Sequence, residues 1–421
     1  MASIDPTRVS YGIYRDPEIF TRERERLFMG PCWNFLCLEC EIPNPGDYKT
    51  THVGDVPVIV ARDETGAIRA LENRCAHRGA QVCLEKFGNA KRLTCVYHAW
   101  SYDLRGKLVG VAFRNGVKGE GGMPPEFDPA NHSLRTLAVE VFHGLVFASF
   151  HHDLPSVAED LGPEVAARVA RVFSRPVKVL GRTTQVLRNN WKLYVENVKD
   201  SYHAIILHLF FTTFKINRLS QKGGIIVDES GGHHVSYSMI DRDEAAGKKD
   251  DGPGEKTRAD KDGFRLADPS LLENRDEFGD GITLQILTVF PNFVIQQIQN
   301  ALAVRQIIPR GVEETEIRWT HFGFVDDAAE MLDLRVKQSN MVGPAGYISM
   351  EDGAVGAFVQ RAITGAADQE SVMMMGGDNT ASTPARATEA SGVSHCVGNQ
   401  RRGAAQRAPR STMFDRGLTA V

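Results

Sequence analysis

Between Gly46 and about Phe150, short runs of alternating apolar and polar residues ("VPVIVARD", "RLTCVYHAW", "GLVFASF") are broken by "DETG", "FGN" and "DLRG". A period of two with turn residues between the runs predicts a domain of short strands, placed over 41–155. The residues before it, 1–40, read as a helix over "DPEIFTRERERLF" leading into a strand over "CWNFLCLEC". They are expected to pack with a later domain. After Pro155 the period lengthens. A helix is predicted over about 156–174, then a strand over "VKVLGRTTQVL" and a long helix from Trp191. Strands return over "LQILTVFPNFVIQQIQ", "ALAVRQIIP" and "EIRWTHFGFV", with a helix near 326–341. The fold class is therefore α+β: an all-β domain followed by an α/β domain with a central sheet over 156–391.

Two stretches fall outside this periodicity. Residues 241–263, "DRDEAAGKKDDGPGEKTRADKDG", are highly charged and Gly-rich and read as a surface loop. Residues 392–421 show neither helical nor strand period, and are expected to be a disordered tail or an altered reading frame.

Composition narrows the classes. A chain of 421 residues with 42% hydrophobic and 24% charged residues is that of a globular protein. A formal net charge of −4, without basic clusters interleaved with aromatics, gives no sign of nucleic-acid binding. The run "HAIILHLFF" is too short to span a bilayer, which needs about 20 apolar residues. No charged and then apolar leader opens the chain, and seven cysteines are too few and odd in number for a disulfide framework. The expected location is the cytoplasm.

Chemistry enters with "CAHRG" and "CVYHAW". Cys75 and His77 are followed, after seventeen intervening residues, by Cys95 and His98. A single zinc held by two thiolates and two imidazoles is one reading. Zinc fingers, however, group cysteines in one pair and histidines in the other. Here each loop supplies one of each, which suits two metals, one bound by sulfur and the other by nitrogen. Cys37, Cys40 and Cys83 read as core.

A second cluster lies in "NNWKLYVENVKDSYHAIILH". On an ideal helix Trp191, Tyr194, Val195, Val198 and Tyr202 form an apolar stripe, while Glu196, Asp200 and His203 fall within roughly 60° on the opposite face. His208 lies about 140° further round. Both imidazoles meet at one ion only if the helix stops or widens between them. Two histidines and a distant carboxylate make the facial triad of a non-haem Fe(II) site. Asp352 in "GPAGYISMEDGAVG" is the leading candidate for the carboxylate, Glu351 is the runner-up, and acids that merely open a helix are the plain alternative.

Taken together, the two constellations resemble the large (α) subunit of Rieske non-haem iron ring-hydroxylating oxygenases, over nearly the whole chain from "YGIY" to "RATEAS". The resemblance implies an all-β Rieske domain and a helix-grip-like catalytic domain. Cys75 and Cys95 would bind one iron of a [2Fe–2S] cluster and His77 and His98 the other. His203, His208 and Asp352 would hold a mononuclear iron where O₂ is used. Asp200 matches the acid that links His203 to a cluster histidine, here His98, of a neighbouring subunit, and Asn197 sits near an iron-proximal Asn. The phrases "ENRCAHRGAQ", "GVKGEGGMP", "FFTTF" and "ISMEDGAVG" are similar to the branch acting on aromatic carboxylates: terephthalate, anthranilate, ortho-halobenzoate and salicylate oxygenases. That implies cis-dihydroxylation of a substituted benzoate. Monohydroxylation of the salicylate type and pure electron transfer remain the alternatives. Arg305 and Arg386 are the candidates for the substrate carboxylate, because the planar guanidinium bonds both oxygens. No Gly-rich dinucleotide motif follows a predicted strand. NADH is thus expected to act through a separate reductase, with or without a ferredoxin, on a homotrimer or an α3β3 assembly.

Overall fold

The computed structural model describes residues 8–214, 222–239 and 266–372. The charged stretch 241–263, Arg386 and the tail from 392 lie outside the described residues. Two compact units divide the chain: Phe28–Val157 form one, and the described residues up to Leu27 and from Ala158 onward form the other.

In the first unit seven antiparallel strands run in the order Asn34–Leu38, Leu145–Ser149, Thr136–Phe142, Ile68–Glu72, Val56–Arg62, Asp47–Val53, Phe87–Asn89. The hairpin at Phe142–Leu145 turns on two residues, His143 and Gly144, both with positive φ, as a two-residue loop matching strand twist requires. Asn34–Leu38 is buried along its length and pairs with Leu145–Ser149. That pairing divides the expected 1–40 segment after Leu27 rather than at residue 40. Leu93–Thr94, Ser101–Tyr102 and Leu108–Gly110 make a smaller sheet. Ile59, Leu71, Trp100, Tyr102 and Leu108 form a core together with Cys75, Cys83 and Cys95.

The second unit is built on another seven-stranded antiparallel sheet, in the order Val177–Leu187, Glu314–Phe324, Ala301–Gly311, Phe293–Ile298, Ile282–Val289, His234–Met239, Lys222–Val227. The central strands are buried on both faces. On one face Gln285 and Gln297 meet helix α2 (Val157–Val172), which bends at Gly162 before Pro163. On the other, Ile298, Ala301, Leu284 and Ile286 pack against Phe211, Met341, Val342 and Ile348. Those four come from α5 (Leu209–Thr213), α6 (Ala329–Val342) and α7 (Tyr347–Ala362). This second face carries the chemistry.

The long helix expected from Trp191 is three short ones. α3 (Trp191–Lys199) ends at Asp200, whose backbone is extended and whose Oδ1 accepts from the Tyr202 amide at 2.7 Å. An Asp bonding an amide two residues on competes with helix continuation, which is why periodicity alone overran this point. α4 (Ala204–Leu207) follows His203 and stops at the non-helical His208, before α5. α3 is fastened by the N-terminal segment. Trp191 Nε1 and Lys192 Nζ donate to the buried Glu23 of α1 (Pro17–Glu23), and Tyr14 Oη donates to Glu196 at 2.7 Å. No helix among the described residues is long and apolar enough to cross a membrane.

Candidate metal centres

The two loops of the first unit are near copies of one turn. The amide of Cys75 donates to Ala80 and that of Gly79 donates back to Cys75. Cys95 donates to Trp100, and Ala99 donates to Cys95. The residue four after each cysteine has positive φ, +74° at Gly79 and +53° at Ala99, so the glycine of "CAHRG" suits the left-handed backbone its turn needs. Each turn buries its thiol and holds its imidazole outward, with His77 and His98 Nδ1 atoms 3.1 Å apart. His77 stacks on Trp100 at 4.9 Å. A tetrahedral zinc would gather all four donors about one point. Among the described residues only His203, His208 and Asp352 bring three donors within 4.8 Å of one another. Buried thiols on one side and outward imidazoles on the other fit two irons. Tyr102 Oη lies 3.3 Å from Cys75 Sγ and accepts from the Ala76 amide. Cys37 and Cys83 are core, with thiols pushed up by burial, Cys83 to about 11; Cys40 is half-buried.

The breaks around α4 let His203 and His208 face the same point. His203 Nε2 lies 3.3 Å and His208 Nε2 3.2 Å from Asp352 Oδ1, yet this buried oxygen has no hydrogen-bond partner. Three donors converging without hydrogen-bond geometry, one of them an orphaned carboxylate oxygen, fit a cation between them. The electrostatics agree. Burial alone would push the Asp352 carboxyl up, but the two imidazoles hold it well below the usual carboxylate range. Burial works against charge on His203, yet Asp200 and Asp352 lift it to about 9. Behind each imidazole stands an acid: Asp200 Oδ2 is 3.3 Å from His203 Nδ1, and Glu351 Oε2 is 2.9 Å from His208 Nδ1. Such partners fix the ring and its tautomer. Glu351, the runner-up for the iron, thus faces the far side of His208. Asn197 Nδ2 is 3.4 Å from His203 Nε2.

Arg305 belongs to the same face of the sheet. Its Nη1 donates to Tyr194 Oη at 3.0 Å, and Tyr194 also feels the charge of Asp352. The guanidinium lies 4.1 Å over the Trp319 ring. Arg305 is 4% exposed, has no carboxylate partner among the described residues, and its Nε makes no hydrogen bond.

A thiol–imidazole pair of loops on one unit and a two-histidine, one-carboxylate centre on the other define an iron-dependent oxygenase. The comparisons with known proteins agree. Residues 32–119 match the Rieske [2Fe-2S] domain and residues 173–383 the catalytic domain of ring-hydroxylating alpha subunits. The chain belongs to the alpha subunits of Rieske ring-hydroxylating oxygenases. It is 58% identical to terephthalate 1,2-dioxygenase, terminal oxygenase component subunit alpha 2, of Comamonas sp., over 91% of this chain and 92% of that one. It is 47% identical to the anthranilate 1,2-dioxygenase large subunit of Burkholderia cepacia, over 89% and 88%. In fold it is similar to naphthalene 1,2-dioxygenase of Rhodococcus sp. bound to indole, with TM-score 0.76, 24% identity and 94% of each chain covered. The chain is an aromatic ring-hydroxylating dioxygenase subunit with a Rieske cluster and a mononuclear iron.

Proposed function

We propose that this subunit cis-dihydroxylates an aromatic carboxylic acid of the substituted-benzoate type, with Arg305 binding the carboxylate. The observation that carries the reading is a buried guanidinium with no carboxylate partner among the described residues, on the face that holds Asp352. A cation shut away from water without an anion is costly, and Trp319 offsets only part of that through its ring. A bound carboxylate would complete the pair in a planar fork. Relatives named for terephthalate and anthranilate point to the same chemical class. Arg386 remains the second candidate.

When bound, the cluster supplies stored electrons and the mononuclear iron activates O₂. The chain's own part is positioning. Asp200 orients His203, and the reading assigns it a bond to a cluster histidine of another copy, such as His98, in a trimer with or without β subunits. Glu351 orients His208, and Asn197 borders the iron site. On this reading the buried Phe211 and Ile298 and the half-buried Ile286 supply the apolar wall against which the ring rests. Electrons are taken to come from NADH through a separate reductase.

The test is product formation from a panel of benzoates with reductase, NADH and O₂. A cis-dihydrodiol carrying the carboxylate, and a tenfold to hundredfold loss of kcat/KM in Arg305→Met, are expected, from the roughly 1.5–3 kcal/mol of a charge-assisted bond. A monohydroxylated product, or normal turnover in Arg305→Met, overturns the proposal.

A further inference from the structure

The two glutamines of "FVIQQIQ" have opposite fates. Gln297 accepts from Arg171 at 2.7 Å and donates to the Ile282 carbonyl at 2.9 Å. Gln296, on the catalytic face, is completely buried, and neither amide atom has a hydrogen-bond partner. Its cross-strand neighbour is Ala303, and Ala303 in turn faces His321. Three adjacent strands therefore present Gln296, Ala303 and His321 as one row. With strands about 4.8 Å apart, Gln296 and His321 stand roughly 10 Å from each other with only a methyl group between.

His321 is buried, and its Nδ1 has no partner. Burial and the charge of Arg305 hold it neutral, with its pKa lowered to about 4. Arg305 lies two residues along from Ala303, on the same face, and its Nε is also unmet. Buried polar groups in folded proteins are nearly always hydrogen-bonded. A row of unmet ones beside a guanidinium with no carboxylate partner among the described residues has the chemistry of a binding recess rather than of core.

We propose that Gln296 and His321 form a second recognition point, hydrogen-bonding a second polar substituent on the ring of the acid whose carboxylate Arg305 holds. The inference rests on the carboxylate reading of Arg305. The shared chemistry is a ring substituent that donates or accepts hydrogen bonds. A neutral imidazole and an amide that can turn end for end serve a hydroxyl, an amine or a second carboxyl alike. Plain benzoate leaves both side chains unmet, so the pair sets specificity rather than overall affinity.

Titration calorimetry on the iron-loaded protein without reductant tests this. The probes are benzoate, 2-hydroxybenzoate, 2-aminobenzoate and benzene-1,4-dicarboxylate. In Gln296→Met and in His321→Phe, the preference for at least one substituted acid over benzoate is expected to fall about fivefold to tenfold, as loss of one hydrogen bond implies. Benzoate itself should stay within about twofold by the same reasoning. Equal losses across the panel, or an unchanged preference with a raised Tm in both variants, overturn the proposal and leave ordered water as the occupant of the row. Arg305→Met separates the two readings. It should weaken every acid alike, and failure to do so sinks the carboxylate reading whatever the Gln296 ratio shows.

Discussion

Removing the Glu351 carboxylate should loosen the mononuclear iron without touching the cluster. His208 is almost wholly buried, its Nε2 faces Asp352 at 3.2 Å, and its Nδ1 has Glu351 at 2.9 Å. In Glu351→Ala that N–H is left with water in place of a carboxylate, so the ring loses the partner that fixes its tautomer and raises its basicity. Loss of such a partner typically lowers metal affinity tenfold to a hundredfold, or about 1.4–2.7 kcal/mol. Glu351→Gln keeps a neutral acceptor. The difference between a charge-assisted and a neutral hydrogen bond is about 1 kcal/mol, so roughly a fivefold loss is expected. The assay is iron per chain after dialysis against graded chelator, with the visible absorbance of the cluster as internal reference. An alanine variant that holds iron as wild type does, or a glutamine variant that loses more than alanine, would show that the contact carries no such function.

Further outcomes concern other parts of the molecule. Asp200→Asn should keep the cluster spectrum and nearly abolish turnover, and normal turnover would refute its bridging role; His203→Ala should lose only the mononuclear iron. Tyr102→Phe removes a donor to Cys75 Sγ, and since such bonds favour the more negative reduced cluster, voltammetry should show a lower potential; an unchanged or higher value would contradict this. The pKa of His321 is near 6.5 when unfolded and is lowered to about 4 by burial and Arg305 when folded. The unfolded chain thus takes the proton first, and stability present above pH 6.5 is lost as pH falls towards 4, at up to about 1.4 kcal/mol per unit. Melting curves of His321→Phe across that window should fall less steeply than those of wild type, and equal slopes would count against the assignment.

Legibility followed the range of the interaction. The two cysteine–histidine loops could be read because each is a local turn whose donors lie two or three residues apart. His203 and His208 were recognisable from type and spacing, although the helix through Asp200 was not as expected. Periodicity registers the apolar stripe but not an Asp side chain capturing the amide of Tyr202. Asp352 and Glu351 are neighbours whose roles differ only by the direction in which α7 turns them, and no local pattern holds that information. Gln296 and Gln297 show the same limit in a strand. Alternation places them on opposite faces, but only the position of Arg171, far along the chain, makes Gln297 the satisfied one. The boundary near residue 40 moved to Leu27 for a like reason, since the partner of Asn34–Leu38 is more than 100 residues away.

The pairing of Arg8–Ser10 with Glu370–Val372 has a consequence for synthesis on the ribosome. Arg8–Ser10 must wait for Glu370–Val372, some 360 residues later, before they can be paired within their own unit. Phe28–Val157, by contrast, has every strand partner in hand once residue 157 is made. Since domains generally fold as units during translation, the iron–sulfur unit can be complete while Tyr14 and Glu23, the anchors of α3, are still waiting. Nascent-chain lengths short of residue 370 should therefore yield a protease-resistant first unit with an unprotected N-terminal extension.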